Sequence, residues 1–227
     1  MTTSTKDLRH VTTAIQRSLR NDPMIDVTQS PVKDILIAVC SAIAAYSTKL
    51  IRDYRTRKQS KKAQEAIVAS GQIVSLLQEC AFAAGADSAL LLYTTNGGGV
   101  PHPGKPLYVT ILYELFPGKS FKSIRENFQH ALCDGGYLKL ISNVIQEGHW
   151  TGGPDDMEDG FLKELYLQEK VGYAHIQGIL STKTQFFYLS LCWLKTSSHP
   201  KTESAVAATT RTYGERISNI LLEFKDK

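Results

Sequence analysis

The feature that most constrains this chain is a charge-free apolar stretch within a segment that nothing interrupts. Residues 35–48 (ILIAVCSAIAAYST) are fourteen residues without a charged side chain, and neither Pro nor Gly occurs between Pro31 and Gly71. A helix needs about 17 residues at minimum to cross a bilayer. Leu50 and Ile51 extend the apolar side, and lysines at both ends can reach the polar layer. The stretch therefore fits two structures, a single membrane span and a helix packed in a homo-oligomeric bundle through its small residues.

A basic cluster follows the apolar stretch directly. Within residues 49–62 only Asp53 opposes seven cations, which are Lys49, Arg52, Arg55, Arg57, Lys58, Lys61 and Lys62. Cations at one end of a hydrophobic helix are the positive-inside signature of a membrane protein. A span would place residues 49–227 in the cytoplasm, at an inner or plasma membrane, with anionic lipid headgroups as partners of the cluster. In the soluble alternative the protein is cytoplasmic and the cluster is a solvated face.

Composition limits the other classes of function. The 227 residues are 42% hydrophobic with a net charge of +4, which fits one globular domain with an appendage. Only Tyr54 is an aromatic residue within the basic cluster, so the sequence predicts no nucleic-acid partner. The four cysteines are dispersed without a C-x-x-C pair, which predicts no zinc site and a reducing compartment. The pair His130 and Cys133 lacks further ligands, so no metal is predicted.

We divide the chain into three segments. Residues 1–29 form a short amphipathic helix with the stripe Leu8, Val11, Ile15 and Leu19, docked on this protein, on a sister subunit or on a lipid surface. Residues 30–62 are an apolar helix with a basic C-terminal flank, acting as a membrane anchor or an oligomerisation helix. Residues 63–227 are the globular domain. A single helix over residues 31–84, or two helices with a break near Gln59, precede the C-terminal cap Gly85.

The globular segment shows an α+β pattern. Residues 86–95 and 107–116 are predicted to be an antiparallel hairpin, and residues 171–180 and 185–194 a second one. Between them we predict a helix from Ser120 or Ser123 to the Gly135-Gly136 pair, a helix or extended piece over 137–146, and a polar acidic loop over 148–160. A helix from about Lys201 closes the chain, with the stripe Val206, Thr210, Tyr213, Ile217, Leu221 and Phe224. The first and last helices should cover an antiparallel sheet.

This order resembles the GAF domains, with partial similarity to PAS-type sensory folds. The resemblance covers residues 63–227 and depends on QEAIVASGQIVSLLQECAFAAGADSALLLYTT, on the strands GYAHIQGIL and QFFYLSLCWL, and on AVAATTRTYGERISNILLEF. It implies a GAF-like antiparallel sheet flanked by helices and a sensory or dimerising role in signalling. No motif for cyclic nucleotides, bilins or haem is recognisable. Cofactors are therefore not identifiable, although a small-molecule ligand is compatible with the fold.

We expect a non-catalytic, membrane-anchored GAF-like module that senses a small molecule or binds a protein. No Ser/His/Asp or Cys/His arrangement has a spacing that indicates an enzyme. The family plan would place a ligand between the sheet and the middle segment, near polar and aromatic side chains. Those candidates are Tyr113, Tyr137, His149, Trp150, Tyr173, His175 and Gln177. The expected partners are further copies of the chain, through its N-terminal and flanking helices, and an unidentified protein. The alternative is a soluble structural subunit that oligomerises or docks in a larger assembly through its N-terminal helices.

Overall fold

The computed structural model describes residues 31–97, 102–117, 123–197 and 202–225. The amphipathic helix predicted for residues 1–29 lies outside these residues. The chain divides into two compact units, residues 1–62 and 63–227. Helix α1 covers Pro31–Ala84. It ends at Gly85, whose φ of 68° is the left-handed conformation that a glycine cap adopts most readily.

A six-stranded antiparallel sheet forms the centre of the second unit. Its strands are β1 (Ser88–Thr95), β2 (Tyr108–Leu115), β3 (Ala131–Leu132), β4 (His149–Gly152), β5 (Val171–Ser181) and β6 (Gln185–Leu194). Both predicted hairpins are present, and they join through β1 and β6 to give the order β3-β2-β1-β6-β5-β4. β6 is central and nearly all apolar because both of its faces are covered.

Helices cover the two faces of the sheet. Helices α2 (Gly135–Glu147) and α3 (Phe161–Gln168) pack with one buried cluster, which includes Leu90, Ile176 and Cys192. Residues 69–84 of α1 and helix α4 (Glu203–Lys225) pack with the other cluster, which includes Leu91 and Trp193. The apolar stripe of α4 lies on the sheet as the sequence predicted, since Val206, Thr210 and Ile217 are buried.

The middle segment differs from its sequence prediction. Where a helix was expected before Gly135, the structure has a short 3-10 turn (Arg125–Phe128) followed by β3. His130, between them, has a φ of 57°, a left-handed conformation that interrupts a right-handed helix. Gly135 and Gly136 begin α2 instead of ending a helix, because the Asp134 carboxylate accepts a hydrogen bond from the Tyr137 backbone N–H at 2.8 Å.

The predicted acidic loop is also more structured than expected. Residues 148–160 contain β4 and a second 3-10 turn (Pro154–Asp156), and α3 follows directly. β4 pairs with β5, with Trp150 opposite Ile176 and Thr151 opposite His175. Four residues at a sheet edge are too few to show an alternation in the sequence that would identify a strand.

Candidate functional site

A closed cavity lies between the sheet and the α2 and α3 layer, the place where the family plan puts a ligand. Its volume is about 30 Å³, room for about one water molecule. Tyr137 of α2, Tyr166 of α3 and Tyr188 of β6 project into it from three sides, beside Ser190 and Cys192. These side chains occupy the space in which a ligand of ordinary size would lie.

The polar groups of this cavity bond to one another. The hydroxyls of Tyr137 and Tyr188 are 2.6 Å apart and form a hydrogen bond. The Cys192 thiol donates to the Tyr166 hydroxyl at 3.8 Å, and its sulfur lies 3.7 Å from the Ser190 hydroxyl oxygen. Burial raises the pKa of all three tyrosines and of the Cys192 thiol. The groups are therefore neutral at physiological pH and cannot act as bases there.

The structure divides the seven candidate pocket residues between the two faces of the sheet. Tyr137 lines the closed cavity, and Trp150 packs against the same buried cluster. The other five lie on the α1 and α4 side, and they are Tyr113, His149, Tyr173, His175 and Gln177. They cannot line one pocket, because alternate residues of a strand point to opposite faces.

A bulge explains the position of Tyr113. The register of β1 with β2 shifts between Leu91 and Leu92, so that Leu91 pairs with Tyr113 and Leu92 with Ile111. The unpaired Leu112 reverses the alternation beyond it, and Tyr113 turns to the α1 side. There its hydroxyl donates to the Ser70 hydroxyl at 2.8 Å.

His175 is the centre of a polar cluster under α4. The ring is fully buried, and its Nε2 atom lies 2.9 Å from the Thr210 hydroxyl oxygen. The ring of His149 stacks on it with centroids 5.6 Å apart. The pKa of His175 is lowered to about 4, first by desolvation and then by the nearby His149, against smaller opposite effects of Gln177 and Glu203. His175 is therefore neutral at physiological pH.

Trp150 also borders a second, more polar cavity of about 170 Å³ outside α2 and α3. Of its charged side chains, Lys139 pairs with Glu158, and Lys163 pairs with Asp159 of the adjoining loop. Asp134 anchors both helices here, because its second carboxylate oxygen accepts a hydrogen bond from the Phe161 backbone N–H at 2.6 Å. The cavity is lined by two lysines and by the two carboxylates of Asp156 and Glu158, so its charges balance and favour no ligand class.

The residues of the basic cluster lie on α1, and every one of them is exposed, as are all residues from 37 to 64. The apolar stretch before it exposes its large side chains, with Ile35 64%, Ile43 61% and Leu50 51% accessible. By length and composition, α1 is the one helix of the described residues that could cross a membrane, but the part of it that meets this criterion is one-third buried and so is not the exposed stretch of residues 37–64. Within the described residues of the first unit, a basic surface adjoins an uncovered apolar one.

The structure also adds two residues to the candidate site that sequence reasoning missed, Tyr188 and Thr210. Tyr188, Ser190 and Cys192 alternate along β6, and polar atoms at every second position of an otherwise apolar strand are a signal of a buried polar cluster. Thr210 is the one threonine in the apolar stripe of α4, which likewise indicates a buried partner. In the described part of the chain, no three His, Cys, Asp or Glu side chains come together as metal ligands would.

Comparison with known proteins identifies the fold of the chain from solved structures. Neither a protein-family model nor a curated protein matches the chain. Among solved structures, it is similar to the cyanobacteriochrome receptor PixJ, with a TM-score of 0.50 and 12% identity over 69% of this chain and 97% of that chain. It is also similar to a GAF domain/HD domain protein from Geobacter sulfurreducens, with a TM-score of 0.51 and 10% identity over 70% and 95%. The chain has a GAF-like α+β fold, as its element order predicted.

Proposed function

We propose that this chain is a non-catalytic, membrane-anchored GAF-like module that acts through protein contacts. The observation that carries the proposal is the uncovered apolar stretch of α1. Within the described residues, nothing covers Ile35, Val39, Ile43, Tyr46 or Leu50, each at least half exposed. Apolar patches of this kind on a protein surface mark a site that meets a membrane or another protein.

The length of the stretch is close to that of a bilayer core. Residues 35–51 are 17 residues, or about 26 Å of helix against a hydrocarbon thickness of about 30 Å. Lys33 and Lys49 lie near its ends, where their long side chains can reach the headgroups. The Thr48 hydroxyl donates to the Ala44 carbonyl at 2.8 Å, so this polar group is satisfied inside the helix.

The distribution of side chains around the helix favours lipid over a soluble bundle. A soluble helix buries one stripe and presents charged residues on the opposite side. Residues 35–48 have no charged side at all, since large apolar residues on one side face Ala38, Ser41, Ala42 and Ala45 on the other. Viewed along the helix axis at about 100° per residue, the cations of the basic cluster lie on all sides, and the largest angle between neighbouring cations is about 80°. A helix leaving a membrane upright meets headgroups on all sides, which suits cations on all sides.

The orientation follows from the same cluster. Cations flanking a span stay on the cytoplasmic side, so residues 49–227 would lie in the cytoplasm at an inner or plasma membrane. Each cation near an anionic leaflet adds about 1 kcal/mol of attraction. A soluble cytoplasmic protein is the alternative localisation.

Two features support a non-catalytic role that depends on contacts rather than on a ligand. The cavity at the family's ligand position holds about 30 Å³, whereas small-molecule sites measure roughly 300–1,000 Å³. Its tyrosines have raised pKa values and bond to one another, so they supply no base at neutral pH. We therefore favour protein interaction over small-molecule sensing.

A second copy of the chain is the partner that the flanking helices fit. On the α1 portion within the second unit, Ile67, Val74 and Phe82 are exposed around the small Gly71. They repeat at about seven residues, as along the seam of two packed helices. An open groove beside them, about 740 Å³ in volume, runs between α1 and α4 and is crossed by the Glu79–Arg216 ion pair at 3.5 Å. A second α1 helix would cover the exposed apolar residues.

Extraction of the full-length protein from membranes tests the anchor. The wild type should resist alkaline carbonate and dissolve only in detergent. Ile43→Lys should enter the carbonate supernatant, because a lysine at the centre of a span costs about 2.5–3.5 kcal/mol. Val68→Lys is the matched control on the same helix, 62% exposed against 61% for Ile43 but outside the apolar stretch, and should stay in the membrane. Recovery of the wild type without detergent would refute the anchor and favour the structural-subunit alternative.

Disulfide trapping tests the second copy. In a Cys40→Ser background, which removes the exposed native cysteine, Val74→Cys should form a linked dimer under mild oxidation. Leu138→Cys on α2 has the same exposure, 39%, and should remain monomeric. Equal crosslinking of the two variants would remove the support for this seam.

Native mass spectrometry of the same full-length protein would reveal any small molecule that remains bound, and one bound to each chain would contradict the contact-only role.

A further inference from the structure

His175 connects helix α4 to the sheet at the centre of a buried polar cluster. Its ring lies between β5 and α4 with no exposed surface, and Thr210 of α4 contacts its Nε2 atom at 2.9 Å. The Thr210 hydroxyl oxygen also lies 3.0 Å from the Val206 carbonyl oxygen. If this hydroxyl donates to Val206, the imidazole donates from Nε2, and Nδ1 carries the lone pair.

Two buried polar atoms remain without a hydrogen bond in the described residues, His175 Nδ1 and Gln177 Oε1. They belong to side chains two residues apart on the same face of β5. The amide nitrogen of Gln177 donates to the Gly148 carbonyl at 2.8 Å, which leaves Oε1 directed elsewhere. A second imidazole proton, on Nδ1, would therefore enter the packed cluster at an atom without a hydrogen-bond partner, and Gln177 favours that proton less than burial opposes it.

The surroundings of His175 do not compensate the charge of that proton. On β4, His149 stacks on the ring and Thr151 lies opposite it, and on β5 the flanking polar residues are Tyr173 and Gln177. Glu203 of α4 is the acidic group whose charge reaches the ring, but its carboxylate accepts a hydrogen bond from Thr151 at 2.5 Å. The residues that β6 and α1 bury on this face carry no charge, and include Leu191, Leu77 and Cys80, whose pKa burial raises to about 12. A buried imidazolium would therefore remain poorly solvated.

We propose that His175 is a proton-operated latch, which holds the first half of α4 on β5 when neutral and releases it when protonated. Release exposes the ring to water, where its charge is stable. Val206 and Thr210 are the residues of this half that are fully buried against the sheet. Ile217, also buried, lies in the second half and can keep the helix attached.

The size of the effect follows from the two environments of the ring. The pKa of His175 is about 4 in the packed state and about 6.5 for a histidine in water. The released state binds the proton more tightly, so lowering the pH from 7 to 5 should increase the opening equilibrium about 20-fold. Full protonation would increase it about 300-fold.

Hydrogen exchange of the full-length protein in detergent micelles tests the latch. Amide protection, corrected for the intrinsic pH dependence of exchange, should fall about 20-fold between pH 7 and pH 5 in peptides covering residues 203–214. Peptides from β1 and β6, which exchange only through global unfolding, should be more strongly protected than these at both pH values. Equal protection factors in α4 and in the central strands would mean that α4 opens only together with the whole domain, which would overturn the proposal.

Two variants identify the titrating group. His175→Gln keeps a side chain that can bond Thr210 but does not titrate, so the protection of α4 should become independent of pH. His102→Gln removes an exposed imidazole from the loop before β2 and should retain the full response of the wild type. If His175→Gln does not fold, the comparison of α4 with β6 in the wild type still decides the question. If the amide protection of α4 in the wild type does not change between pH 7 and pH 5, the latch is refuted.

Discussion

The tyrosine pair in the closed cavity gives a prediction whose magnitude can be worked out from the structure. The Tyr137 and Tyr188 hydroxyls lie 2.6 Å apart, and the two residues are 3% and 1% exposed. Tyr137→Phe removes one hydroxyl and leaves the other buried without its partner. An unsatisfied buried hydroxyl costs about 1–3 kcal/mol, whereas removing both partners while keeping the shape is nearly neutral.

Each single variant, Tyr137→Phe or Tyr188→Phe, should therefore lower the free energy of unfolding by about 2 kcal/mol. The double variant should lose about 1 kcal/mol or less, because no orphaned hydroxyl remains. Urea denaturation of the full-length protein in detergent, followed by near-ultraviolet circular dichroism, measures the complete cycle. Tyr93→Phe is the control, since its half-buried ring packs on Phe187 with centroids 5.7 Å apart and keeps that contact.

The pattern of the cycle separates this reasoning from simple loss of packing. Additive losses in the double variant would show that the two hydroxyls act independently. Single losses below about 0.5 kcal/mol would show that water or another group satisfies the orphan. Either result would refute the conclusion that these side chains fill the cavity as a mutually satisfied pair.

Three further predictions concern stability. The pKa of His175 is about 4 in the folded state and about 6.5 in the unfolded state, so the unfolded state takes up the proton first as the pH falls. The free energy of unfolding should therefore fall below pH 6.5, by about 2.5 kcal/mol at pH 4.5. His175→Gln should remove this loss. Asp134→Ala should lower the free energy of unfolding by about 2 kcal/mol in the same assay, because its carboxylate caps both α2 and α3. Asp159→Ala removes only an exposed ion pair and should lower it by less than about 0.5 kcal/mol. Gly214→Ala should lower the melting temperature, since its new methyl group would lie 2.6 Å from Ile179 Cγ2, and Ile179→Ala in the same chain should relieve that clash.

Sequence reasoning located the regular elements that have a clear pattern. It predicted β6 with its observed bounds, β5 to within one residue and the two hairpins, because alternation and β-branched content are local properties. It failed over residues 123–136 and 148–160, where short elements depend on distant partners, whereas the helix that it allowed over 137–146 is present within α2. β3 exists because Ala131 and Leu132 pair with β2, and α2 begins at a glycine because Asp134 caps it.

The candidate site was likewise predictable from the sequence only where a local pattern determines it. Once β5 is assigned, the common face of Tyr173, His175 and Gln177 follows from the period of two of a strand. The sequence could not show that this face meets α4, or that Tyr113 crosses to the same side at a bulge. Tyr188 became part of the closed cavity only through the pairing of β6 with β1 and β5.

By itself, the sequence determined the charge-free apolar stretch, the basic cluster after it and the α+β class, since composition and periodicity act within a few residues. The tertiary structure alone decided that the apolar stretch is exposed, that Tyr137, Tyr166 and Tyr188 fill the cavity between the sheet and the α2 and α3 layer, and that His175 contacts Thr210. Those contacts join residues 51 and 35 positions apart in the chain. Such pairs are selected by the packing of whole layers, and no local pattern records which side chains will meet.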